Sequence, residues 1–242
     1  MTTVPLRALI FDVDGTLADT ESAHRSAFNH AFAEEGLDWH WDEPLYTRLL
    51  EVSGGKERIT RYWGQVHGGV KAIHAGALAD TVQRIHDLKT AAYERMVQDG
   101  AVQLRPGVLH LIESACNEGL RLAIATTTSP VNIAALLRSA IGPDWKYTFQ
   151  FVEDASTAPC KKPHPQVYLQ MLQRLHLHAA ECLAFEDSAN GLKAASGAGL
   201  RTIVTPNEFT AHHDFAGALR VLPSLQGTTV AELRGWHAAA SR

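Results

Sequence analysis

Cysteine is scarce in this chain. Cys116, Cys160 and Cys182 are the only three in 242 residues. They are too few and too irregularly spaced for a disulfide framework or a zinc site, and suit a reducing compartment, so a cytoplasmic location is expected. No apolar run approaches the ~20 residues of a bilayer span, so no membrane partner is expected. Positive charge is not in excess: 22 Lys and Arg against 26 Asp and Glu leave a formal −4. This gives no general attraction to nucleic acid, and any phosphate recognition must come from local basic residues. The chain enters its first apolar segment within a few residues of Met1, so a signal or transit peptide is not expected. There is no internal repeat and no low-complexity segment. What remains is a globular composition, with enough apolar residues for one large domain or for a core carrying a smaller insert. A monomer is the expected state.

The most informative stretch is Leu9-Ile10-Phe11-Asp12-Val13-Asp14-Gly15-Thr16-Leu17. An apolar run predicts a buried strand, which then delivers two carboxylates, Asp12 and Asp14, before Gly15 permits a tight turn. Acids at the C-terminal end of a buried strand are costly unless a cation or a reaction needs them. In an open α/β sheet that edge is also where ligands bind. Mg2+-assisted phosphoryl transfer to a carboxylate nucleophile suits such a pair. The stretch resembles the first motif of the haloacid dehalogenase superfamily of phosphatases and phosphomutases. The resemblance makes Asp12 the nucleophile and Asp14 the acid–base, with Mg2+ as cofactor.

Helical spacing of Ala23, Ala27, Phe28, Ala31 and Phe32 predicts a helix over 20–36. Helical, charge-rich sequence continues to about residue 100, with breaks at Gly54-Gly55 and Gly68-Gly69. From Leu104-Arg105-Pro106-Gly107 the texture changes. An amphipathic helix over 108–118 leads to a buried strand over 120–125. Helices at 130–140, 164–176 and 188–198 then alternate with strands at 182–185 and 201–204. This alternation predicts an α/β fold, a Rossmann-like parallel sheet with helices on both faces. The core is expected to comprise 1–18 and 103–242, and an inserted helical cap 19–102, with hinges near 18–21 and 98–104.

Three further segments carry chemistry. Thr126-Thr127-Thr128-Ser129 follows a buried strand, where hydroxyls and backbone N–H groups can cradle a phosphoryl oxygen. It resembles the family's second motif, which makes Thr126 the phosphate-binding hydroxyl with Thr127 beside it. Lys161-Lys162-Pro163-His164-Pro165 offers a fixed cation, and Lys162 matches the third motif. Gln166 stands where the family usually has an Asp that supports this lysine. Phe185-Glu186-Asp187-Ser188 again ends an apolar strand in two acids, a set suited to Mg2+. By the resemblance Asp187 ligates the metal beside Asp12 and the backbone oxygen of Asp14, while Glu186 orients metal-bound water.

In the insert, Glu21 and His24 follow the first motif. Gly54, Gly55, Lys56, Glu57 and Arg58 form a glycine turn with two cations, without the spacing of a nucleotide-binding P-loop. His86 and Lys89 share one side of a later helix at i, i+3 spacing. These could be no more than a solvated basic face. Together with Asp38-Trp39-His40-Trp41-Asp42 and Thr126 to Ser129, they also resemble the CbbY group of phosphatases. Those enzymes remove phosphate from xylulose 1,5-bisphosphate, an inhibitor of Rubisco. That resemblance places Glu21, Gly54 to Arg58, His86, Lys89, Thr127, Thr128, Ser129 and Asn132 against a phosphorylated sugar, with Lys56, Arg58 and Lys89 meeting a second phosphate. His24 matches a histidine that assists proton handling. The pair His176 and His178 reads as surface, Trp39 and Trp41 as packing, and residues 205–242 carry no assigned chemistry. Three other readings stay open: a β-phosphoglucomutase-like isomerase with the same core motifs, a phosphate-sensing binding protein, and a broad sugar-phosphate or phosphoglycolate-type phosphatase. The intact set Asp12, Asp14, Lys162 and Asp187 argues against the second.

Overall fold

Strand β1 (Ala8–Phe11) is buried at every position because it packs on both faces. Leu9 and Phe11 point into one apolar cluster, Ala8 and Ile10 into another. The same division recurs in β2 (Arg121–Ala125) and β4 (Cys182–Glu186). There Leu122, Ile124, Leu183 and Phe185 face one way, and Ala123, Ala125, Cys182 and Ala184 the other. This two-sided burial explains why the strands read as continuous apolar runs. It also makes the faces unequal: one is built of Leu, Ile and Phe, the other mostly of Ala and Cys. In this computed structural model, which describes residues 4–67 and 75–240, helices α8 (Gln166–Leu175) and α9 (Ala189–Gly197) pack on the small-residue face. Helices α5 (Val108–Asn117), α6 (Pro130–Ala140) and α10 (Val230–Ala239) cover the large-residue face.

The sheet is parallel throughout, in the order β3-β2-β1-β4-β5-β6, with β3 at Phe151–Glu153, β5 at Arg201–Val204 and β6 at Arg220–Val221. β1 lies between β2 and β4, so its C-terminal acids meet the ends of both neighbours. Edge strands β3 and β6, of three and two residues, are absent from the sequence-based expectation; runs this short carry no periodic signal. The short helix α7 (Trp145–Thr148) and α10 are also additions. α10 had a signal: Thr229 and Glu232 form a capping box at its start.

Between β1 and β2 run α1 (Glu21–Glu34), α2 (Glu43–Leu49), α3 (Gly55–Val66) and α4 (Ala75–Gln98). The Gly68-Gly69 break lies outside the described residues. Phe28, Phe32, Trp41, Tyr46 and Ile85 form a separate cluster here, and Trp39 packs edge-on against Phe32, Tyr62 and Trp63. The two chain crossings between sheet and helices run side by side. Ala18 bridges Leu104 in antiparallel fashion, and the Arg105 N–H donates to the Leu17 carbonyl at 2.9 Å. Ala23 and Ala27 of α1, with Ala92, Tyr93 and Val97 of α4, join the cluster on the sheet's large-residue face.

Candidate active site

β1 and β4 pair in register from Ala8 opposite Cys182 to Phe11 opposite Phe185, so the residues just beyond them emerge together. These are Asp12 on one strand, Glu186 and Asp187 on the other. All three are buried, and each offers a carboxylate oxygen within 4.8 Å of the others. Gly15 makes the approach possible: its φ is 78°, and a Cβ there would lie 2.3 Å from Asp187 Oδ2. Gly191, in the first turn of α9, is required in the same way, since a Cβ would lie 1.8 Å from Glu186 Oε2.

Lys162 is the one cation bonded to this acidic group among the described residues. Its Nζ donates to Asp12 Oδ1 at 2.7 Å, to Glu186 Oε1 at 2.6 Å and to the Ala125 carbonyl at 3.0 Å. Burial works against the ammonium, but Asp12 and Glu186 outweigh it and hold Lys162 above its ordinary range. The Tyr168 hydroxyl also donates to Glu186 Oε1, and its ring lies under the Lys162 ammonium. Tyr168, in the first turn of α8, thus supports the lysine, a role its sequence position did not advertise. Gln166 Oε1 instead accepts from the Cys160 N–H at 2.8 Å, pinning the loop before Lys162.

Three buried carboxylates face one ammonium, and Asp187 bears the imbalance. Burial, then the charges of Asp12 and Glu186, push its carboxyl well above the ordinary range. An all-oxygen donor set short of positive charge fits a hard divalent cation such as Mg2+. The Asp14 side chain stands outside this group; what it could offer a cation is its backbone carbonyl.

The Asp14 carboxylate turns toward the helices. His24 Nε2 lies 3.0 Å from Asp14 Oδ1, and Lys89 Nζ lies 2.9 Å from His24 Nδ1. Burial would raise the Asp14 carboxyl; the His24 contact and the Lys89 charge outweigh it and hold it well below the usual carboxylate range. His24, buried and stacked on Tyr93 at 4.1 Å, is lowered by burial and by Lys89. Burial brings Lys89 itself down to about 8. Lys89 therefore reaches the acid–base end of the site, its amine held against the His24 ring, as a buried ammonium takes an available acceptor.

Asp12, Asp14, Glu21, His24, Gly54 to Arg58, His86, Lys89, Thr126 to Ser129, Asn132, Lys162, Glu186 and Asp187 all line one cleft of about 540 Å3. Ser129 caps α6 by accepting from the Asn132 N–H, which brings Thr126 to Ser129 to the cleft wall. Asn132 Nδ2 donates to Thr128 Oγ1, while its buried Oδ1 has no partner within the protein. Arg58 is buried over the Phe28 and Tyr46 rings and donates to the Leu49 and Val52 carbonyls. Lys56 Nζ donates to Gln83 Oε1 at 2.5 Å, and Tyr46 donates to Glu21 at 2.7 Å. Burial, with the Lys89 and Lys56 charges, lowers His86 to about 4.

The cleft also holds residues that sequence reasoning passed over. Lys161 lines it; burial and the Lys56 charge lower its amine, against the pull of Glu57 and Asp154. Asn190 lines it and donates to the Glu51 carbonyl and Ser53 Oγ, joining α9 to the α2–α3 loop. The segment after β5 needs a larger correction, because it was assigned no chemistry. Thr210 and His213 line the cleft, and Asn207 Nδ2 donates to Asp187 Oδ2 at 2.8 Å. A loop without periodicity or a clustered motif gave no sign of this. His176 and His178 are exposed at helix termini, away from the cleft.

Residues 6–199 match the family model described as haloacid dehalogenase-like hydrolase. The CbbY protein encoded on a plasmid of Cupriavidus necator is 50% identical, over 96% of this chain and 97% of that one. The crystal structure of CbbY from Rhodobacter sphaeroides in complex with phosphate superposes with a TM-score of 0.85 at 42% identity, covering 94% of this chain and 99% of that one. A mutant of the same protein, crystallised with xylulose 1,5-bisphosphate, matches equally well. A β-phosphoglucomutase from Clostridium difficile shares the fold, with a TM-score of 0.78 at 18% identity over 97% of this chain and 98% of that one.

Proposed function

Because this chain belongs to the haloacid dehalogenase-like hydrolases and is a phosphatase, we propose that it hydrolyses phosphorylated sugars through a phosphoaspartate on Asp12, with xylulose 1,5-bisphosphate its preferred substrate. One observation carries this reading: Lys162 holds Asp12 Oδ1, leaving Oδ2 to attack, while a second acid, Asp14, is held separately by His24 in the same cleft. Asp12 attacks phosphorus, and Thr126 and Lys162 bind the transferring oxygens. Asp14, kept ionised by His24, takes a proton from the water that hydrolyses the phosphoaspartate. It passes that proton to the leaving oxygen of the next substrate, so the two half-reactions leave no proton over.

Asp12, Asp187 and the Asp14 backbone carbonyl would hold Mg2+, which would neutralise charge on the transferring phosphoryl group. Glu186, occupied by Lys162 and Tyr168, positions the lysine as well as any water beside the cation. The helices of residues 19–102 act as a cap over the core of 1–18 and 103–242 and exclude bulk water. Lys56 and Arg58 from the cap and Lys161 from the core meet the second phosphate. The partnerless Asn132 Oδ1 accepts from a sugar hydroxyl. The test is phosphate release across sugar mono- and bisphosphates, with the products identified. Xylulose 1,5-bisphosphate should give the highest kcat/KM. Conversion of β-glucose 1-phosphate to glucose 6-phosphate with little free phosphate would instead establish a mutase.

A further inference from the structure

The segment that follows β5 reaches two places at once. Asn207 Nδ2 donates to Asp187 Oδ2 at 2.8 Å. Two residues on, Phe209 is buried in the aromatic cluster of the inserted helices, edge-on to Tyr46 at 6.0 Å between ring centroids. We infer that Asn207 is a positioning residue for Asp187, and that Phe209 makes its hold depend on the seated cap, so that cap seating and divalent-cation binding strengthen each other. The inference rests on the proposed function only where that reading has Asp187 hold a cation.

The segment is stiff between its two contacts. Asn207 Oδ1 accepts from the Phe209 N–H at 2.9 Å, and the Asn207 N–H donates to Thr210 Oγ1 at 3.0 Å. The Thr210 and Ala211 N–H groups return to the Asn207 carbonyl. A shift of Phe209 therefore moves the Asn207 amide, because both belong to one hydrogen-bonded turn. The base of the segment is anchored as well. Arg105, buried at the second hinge crossing, donates to the Thr205 and Pro206 carbonyls and to the Gly15 carbonyl beside Asp14. Its Nε also lies 3.2 Å from Asp19 Oδ1 on the first crossing. Asn207 thus cannot follow Phe209 by sliding the whole segment; it can only turn about this base. By holding Oδ2, Asn207 fixes the plane of the Asp187 carboxylate beside Asp12 and Glu186. The turn joins Phe209 to the acids directly, because the Phe209 N–H is held by the same Asn207 side chain that donates to Asp187.

The experiment measures Mn2+ binding to the full chain by the free-ion electron paramagnetic resonance signal, in wild type, Asn207→Ala, Phe209→Ala and the double variant. Losing the partner that orients a metal ligand costs about 10–100-fold in affinity, and Asn207→Ala should fall in that range. Phe209→Ala should weaken binding about fivefold or more, the scale of a coupling between distinct sites. The double variant should bind no worse than Asn207→Ala alone. The Mg2+ concentration for half-maximal phosphate release should rise in the same order. Circular dichroism checks each fold, and where Phe209→Ala is unfolded, Phe209→Leu, which keeps bulk and loses the edge-on contact, is read in its place. Wild-type affinity in the folded Phe209 variant, or losses that multiply in the double variant, would overturn the inference. Mn2+ binding that obeys the cycle in a protein releasing no phosphate would support the inference while the proposed function fails.

Discussion

Lys89 Nζ and His24 Nδ1 lie 2.9 Å apart, and this contact settles which ring nitrogen carries the proton. An ammonium has no acceptor, so Nδ1 must accept, and a neutral imidazole carries its hydrogen on Nε2. That hydrogen points at Asp14 Oδ1. The ring thus gives Asp14 a donor that favours the carboxylate, and the arrangement as it stands is poised for the water-activating half of the reaction.

Replacing Lys89 with Met should release this tautomer. Without the ammonium, the influence of Asp14 raises His24 toward protonation, a change that imidazole NMR resonances report directly. kcat should fall roughly 10–100-fold, less than the ~10²–10⁴ expected from losing the acid–base itself. Unaltered His24 resonances would show that Lys89 does not control the ring.

Asp12→Asn should lower kcat by several orders of magnitude, because an amide cannot attack phosphorus. The fold should persist. With one of three crowded carboxylates neutralised, the metal-free variant should melt no lower than wild type, since Lys162 keeps Glu186 as a partner. Beryllium trifluoride, a mimic of the phosphoaspartate, should bind wild type and not the variant.

Chelation by EDTA should abolish phosphate release, and added Mg2+ should restore it. Ca2+ should inhibit, because its larger and looser coordination disturbs an in-line displacement. Mg2+ should also raise Tm, as a ligand of the folded state does.

His86 makes stability depend on pH. Its value in the folded protein, about 4, lies below the 6.5 of the free side chain. Between these limits the unfolded chain binds more protons, so stability is fully present above about 6.5 and is lost as pH falls toward 4. Denaturant unfolding should show His86→Gln to be less sensitive to pH across this window, by at most roughly 3 kcal/mol.

The second-phosphate site can be tested through its cations. Arg58→Gln or Lys161→Met should remove about 1.5–3 kcal/mol of the kcat/KM preference for bisphosphates over matching monophosphates, the worth of a charged hydrogen bond. Monophosphate hydrolysis should change little. If neither variant alters the ratio, these cations do not meet a second phosphate.

The acids of this site were legible because they end strands that have no other reason to be charged. Asp12 and Glu186 stand out against Phe11 and Phe185, and two-sided burial made those strands easy to read. Lys162 was legible through its neighbouring prolines. Tyr168 and Asn207 were not, since each acts on an acid far away in sequence and neither residue type is unusual where it stands. The contact of Lys89 with His24 was not legible, because helical spacing gives the side a residue faces and not the partner it reaches. Edge strands β3 and β6 were too short to show a period.

The paired crossings at Ala18 and Leu104 have a consequence for how this protein can vary. Everything between them leaves and re-enters the sheet at one doorway. Closing a longer excursion through the same doorway costs only about 0.6 kcal/mol for each doubling of its length. The core can therefore keep its strands, acids and lysine while the intervening helices are lengthened, trimmed or exchanged. Such a protein can acquire a new substrate without relearning its chemistry.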